Sequence, residues 1–274
     1  MTLLSFHYPN FQISSSWAIP SHLQDLLHDV WLYHYEELYE ENVDGTTPLE
    51  DAIEAVLDAL ANENYVLTHS RYVFMALILA LAVEPTVETY FPQDTRPRKV
   101  LLLIVNWYCQ VIQSVKWNEY PHNRVIQLSA QEQLLGEAEI VNGKDLELLS
   151  AWITGLSSTN NKASVVLKIN NQLFPRQSEG TQAIDEALDV FRNGVRILDI
   201  NQARLALLEM LDDCLEGYAV FPGSQGRRDL FNWWLLEVVP ATWCLQLPKF
   251  VYTINGLKQL NPHQFFSQTI PFSY

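Results

Sequence analysis

A chain of 274 residues that is 48% hydrophobic and 12% aromatic can bury a sizeable core, which excludes a disordered polymer. Seventeen Lys and Arg against thirty-two Asp and Glu leave a net charge of −15. That field repels phosphate backbones and argues against a nucleic-acid partner, while it draws cationic proteins and keeps the chain in solution.

Residues 1–19 have no clear period and lack the basic region and apolar run of a signal peptide, so they read as an irregular arm anchored by Phe6, Phe11 and Trp17. Pro20-Ser21 opens a helix predicted over 21–42, where Leu23, Leu26, Leu27, Val30 and Leu38 supply a 3.6-period stripe. Its end is acidic. On one continuous helix Glu36 and Glu40 share a face and Glu37 and Glu41 the adjoining one, so the four present a negative strip to a basic partner. Asp25 and His28 have the one-turn spacing of metal ligands, with His22 and Asp29 nearby, but no second matching helix exists and no metal is expected.

Thr47-Pro48-Leu49-Glu50 reads as a helix start, with Thr47 the cap, Pro48 the first helical residue and Glu50 the capping-box acid. That helix runs to about Ala61. A second, from roughly 68 to 89, is apolar on most sides through Phe74, Leu77, Ile78, Leu79 and Leu81, so it belongs at the centre. Its longest apolar run, Tyr72 to Val83, is twelve residues, short for a bilayer and right for a buried helix. Phe91-Pro92 ends the helix, and Asp94 to Pro97 begin the next, which carries Val100 to Val115.

Residues 116–180 are the hardest to read. Asn142-Gly143 is either a hairpin turn or the stop before a helix over 144–154, the preferred reading, and Val165-Val166-Leu167 fits a short strand. Helices are predicted again at about 182–193, 201–217 and 227–246. On the last, the adjacent Trp233 and Trp234 diverge by about 100°, which sends one or both into an inter-helix contact. Beyond Pro248, Asn255-Gly256 fits a small hairpin and Phe265, Phe266, Phe272 and Tyr274 make an aromatic tail.

Two stretches say the same thing. Ala52-Ile53-Glu54-Ala55-Val56-Leu57-Asp58 recurs as Ala183-Ile184-Asp185-Glu186-Ala187-Leu188-Asp189, and Phe91-Pro92 with Arg98 recurs as Phe221-Pro222 with Arg228. The expected architecture is therefore mainly α, with two similar helical halves from an internal duplication, bundle-like or repeat-like, and minor β near the C-terminus. The halves divide as 1–160 and 161–274, packed as one globule.

Chemistry-bearing motifs are few. No nucleophile elbow, Walker motif or dinucleotide fingerprint is present, so no catalytic residue and no cofactor is assigned, and a binding protein is favoured over an enzyme. Cys109, Cys214 and Cys244 are odd in number and widely spaced, which argues against a disulfide framework and for a reducing, cytoplasmic setting. Gly223-Ser224-Gln225-Gly226 before Arg227-Arg228 reads as a tight turn, with anion binding the lesser alternative. Arg96, Arg98, Arg227 and Arg228 cluster in the paired loops, where guanidinium groups bolt a loop to neighbouring helices or contact a partner. A pocket between the halves, lined by Trp107, Trp233 and Trp234, is the alternative to protein binding.

Phe91-Pro92-Gln93-Asp94-Thr95-Arg96-Pro97-Arg98-Lys99, with Trp107 nine residues after Arg98, resembles the aromatic-Pro-x-Asp-x-Arg-Pro-Arg segment of immunity protein family five. The match spans about seventeen residues, and the second copy keeps Phe221, Pro222 and Arg228. The resemblance implies an all-helical protein that protects bacteria by blocking a toxin. Together with the charge it implies a protein-binding module that inhibits a basic toxin, with neither nucleic acid nor membrane as partner.

Overall fold

The computed structural model describes residues 11–14, 17–38, 47–114, 182–217, 219–220, 226–248 and 251–252. The described residues are mainly helical, and none is in a strand. The expected features over 116–180, the Asn255-Gly256 hairpin, the aromatic tail, Glu40, Glu41, and the loop 221–225 lie outside them.

Helix α1 (Ser21–Leu32) buries Leu23, Leu27 and Val30, one face at helical spacing. It stops ten residues short of the predicted end. Tyr33 is extended, and Tyr35 folds back so that its hydroxyl donates to the Val30 carbonyl at 3.1 Å while its ring meets Phe231 edge-on at 5.5 Å. Glu36–Leu38 then form a single 3₁₀ turn. The predicted helix is thus interrupted between Leu32 and Glu36, because tertiary capture of the last α1 carbonyls outweighs the local helical preference of the acids.

Helix α2 (Leu49–Leu60) buries Leu49, Ala52, Ile53, Val56, Leu57 and Leu60, a broad amphipathic stripe. Its start differs from the sequence reading. Pro48 is the cap residue and carries no side-chain cap bond, and the Leu49 amide instead donates to Oε1 of Glu37 at 3.2 Å. A carboxylate from the preceding turn thus does the work assigned to Thr47, where the helix dipole favours negative charge.

Helix α3 (Tyr65–Tyr90) is the axle of the fold. Asn64 caps it, accepting from the Val66 and Leu67 amides at 3.0 and 3.3 Å, and nearly every residue from Leu67 to Val87 is buried. The twelve-residue apolar run therefore sits within a 26-residue helix that is long and apolar enough to cross a bilayer, and 89% of its most apolar stretch is buried inside the protein. Helix α4 (Arg96–Ser114) follows after Phe91-Pro92, with Asp94 Oδ1 accepting from the Arg96 amide at 2.9 Å and Pro97 in the first turn, where no amide is needed.

Helices α5 (Gln182–Arg196) and α6 (Ala203–Leu215) form a hairpin that packs on α3, while α4 covers both α3 and α5. Gly194 lets α4 and α5 approach: a Cβ there would lie 3.3 Å from both Ile104 Cδ1 and Val100 Cγ1. Gly194→Val is expected to cost about 1 kcal/mol by overpacking this crossing, read as a lower urea midpoint.

The last segment is one continuous rod: α7 (Arg227–Trp233), a π turn at Trp234–Val238, and α8 (Val239–Cys244). Pro240 lacks an amide and its ring presses on the turn before it, which the wider π turn accommodates. Leu245 ends the rod in the left-handed region at φ 52°, held there by burial and by the Gln246 amide donating to the Ala241 carbonyl at 3.0 Å. One continuous core joins elements of both sequence halves.

Candidate functional site

Helix α6 carries acids at Glu209, Asp212 and Asp213 and ends on Glu216 as its C-cap, a spacing of 0, 3, 4 and 7, which is the register of one helix face. Apolar residues usually occupy such a stripe. Here the acids meet Glu186 of α5 and Glu37 of the 3₁₀ turn. Burial first, then a hydrogen bond to Glu186, then the charges of Glu186, Asp212 and Glu209 push the Asp213 carboxyl up to about 8. At that value Asp213 keeps its proton at neutral pH and is the donor of its hydrogen bond to Glu186. Burial followed by the charges of Glu186 and Glu37 also raises Asp212. Glu216 is raised by burial and by Asp212, Glu186 and Glu37, with Arg227 opposing.

One acid of the stripe is neutralised directly. Arg196 of α5 pairs with Glu209 and also donates to Asn193 Oδ1 at 2.6 Å. Elsewhere Arg204 of α6 spans Glu54 and Asp58 of α2 at 3.0 and 3.2 Å, an exposed bridge that ties α6 to α2. The cluster of Glu37, Glu186, Asp212, Asp213 and Glu216 thus gathers acids from three elements, and of the five only Glu37 belonged to the expected strip. Glu36 is exposed beside it.

The paired-loop arginines engage different elements. Arg96 grips Asp94 through Nε at 2.9 to 3.0 Å and through a terminal nitrogen at 2.5 Å, a local bolt within the α3–α4 loop. Its aspartate is desolvated by burial, but the Arg96 contacts outweigh that and hold it below the usual carboxylate range. Arg98 is half-buried in the first turn of α4. Arg227 donates from Nε to the Glu216 carbonyl at the end of α6. Arg228 donates to the Trp31 and Tyr33 carbonyls at the end of α1, the Tyr33 bond being 2.7 Å, and its Nε reaches Asn232 Oδ1 at 3.1 Å.

A further arginine makes the same kind of bond deep in the core. Arg71 of α3 is 3% exposed and donates to the Leu60 carbonyl at the end of α2, at 2.9 Å, and to the Trp243 carbonyl in the last turn of α8, at 3.4 Å. Its guanidinium lies 3.8 Å from the centre of the Trp243 ring. No carboxylate pairs with it among the described residues. Burial pulls its pKa down to about 10, which still leaves it charged at neutral pH. Three arginines therefore serve four helix C-termini, where the free carbonyls and the negative dipole end favour a cation. Arg228→Ala is expected to lower stability by about 1 kcal/mol, because the α1 carbonyls it leaves are partly reachable by water, and the denaturant midpoint checks it.

The tryptophans are committed to packing. Trp107 meets His69 edge-on at 4.7 Å, and His69 Nε2 donates to the Ile197 carbonyl at 2.7 Å. Trp233 packs on Tyr252 at 5.9 Å, and Trp234 donates to the Met75 sulfur at 3.4 Å; all three indoles are buried. Asp25 and His28 are exposed on α1, and among the described residues no three His, Cys, Asp or Glu are grouped to hold a metal ion. Cys214 and Cys244 are free thiols, and burial raises both.

No protein-family model, no curated protein and no solved structure matches this chain.

Proposed function

We propose that this protein is a binding module for a basic protein, and that the acidic cluster of Glu37, Glu186, Asp212, Asp213 and Glu216 is the centre of its contact surface. The carrying observation is the crowding itself. Like charges gathered on a half-buried face raise each other's pKa and cost stability in the free protein, and perturbed groups of this kind concentrate at functional sites. A cationic partner removes that cost, and the net charge of −15 steers it in.

Within this reading the protein is an immunity-type inhibitor that blocks a basic toxin by occupying it, as the resemblance of residues 91–99 implies. The two halves are products of duplication. Supporting that history, the packing is reciprocal, with α2 against α6 and α3 against α5. The halves diverged most in their second helices, 26 residues in α3 and 13 in α6.

The test pairs this chain with the purified product of the adjacent reading frame and measures the association rate at low and high salt. The expected rate falls at least tenfold over that range, on the order of what steering supplies. The triple variant Glu186→Gln, Asp212→Asn, Glu216→Gln should associate more slowly at low salt and with a weaker salt dependence while remaining folded. Binding that ignores both salt and the substitutions would remove the cluster from the contact, and absence of binding would remove that partner.

A further inference from the structure

We draw no further inference here: the strongest candidate, the hydrogen-bonded Glu186 and Asp213 pair where α5 meets α6, belongs to the acidic cluster already described, and no second observation points to a ligand there.

Discussion

Arg71→Ala is expected to destabilise the protein by about 3 to 5 kcal/mol, the range for leaving buried polar groups without their charged partner. The substitution strands the Leu60 and Trp243 carbonyls, empties the space beneath the Trp243 ring, and does both at a position with 3% exposure where water cannot substitute. Arg71→Met separates the two contributions. It fills much of the volume but offers no donor, so it should recover roughly 1 to 2 kcal/mol of the loss, the share owed to packing. Urea unfolding of the three proteins reads all of this. Equal midpoints for wild type and Arg71→Ala would mean that the two helix ends find other donors, and the role assigned to Arg71 would fall.

Asp213→Asn should act in the opposite direction and depend on pH. The Asp213 carboxyl has an ordinary value of about 4 in the unfolded chain and is pushed up to about 8 in the fold, so between those values the folded state binds the extra proton. Its contribution is fully present below about pH 4 and is lost as pH rises towards 8. Above that, the group is ionised in both states and the destabilisation is constant. Solvent screening at this half-buried position reduces the effect to about 2 kcal/mol. Asparagine keeps a donor towards Glu186 and carries no charge, so the variant should match wild type near pH 4 and exceed it by about 2 kcal/mol at pH 9. Parallel pH profiles for the two proteins would show that Asp213 is not the titrating group.

The central helix was legible because its letters are apolar on most sides and its uninterrupted apolar run, Tyr72 to Val83, is short for a bilayer, which leaves the core of the fold. The α3–α4 junction was legible too, since Phe91-Pro92 and Asp94-x-Arg96-Pro97 specify a stop and a start within seven residues. The end of α1 was not. It depends on Arg228, 195 residues beyond Tyr33, and on the Tyr35 hydroxyl turning back onto Val30, and neither bond has a signature in the local sequence. The acidic face was half legible. The spacing of Glu209, Asp212, Asp213 and Glu216 is visible as a helical stripe of like charge, but Glu186 and Glu37 arrive from other elements, and only packing brings them to it. Thr47 failed as a cap for a similar reason, because Glu37, twelve residues before Leu49, occupies that role.

Arg71, Arg227 and Arg228 hold their helices through main-chain carbonyls, and a carbonyl is supplied by whatever residue occupies the position. Substitutions among the surface carboxylates therefore leave these three clamps intact. The negative face can be rewritten residue by residue while the cations that fasten the helices keep their partners. Such a chain can change its surface through successive substitutions without having to solve its folding again each time.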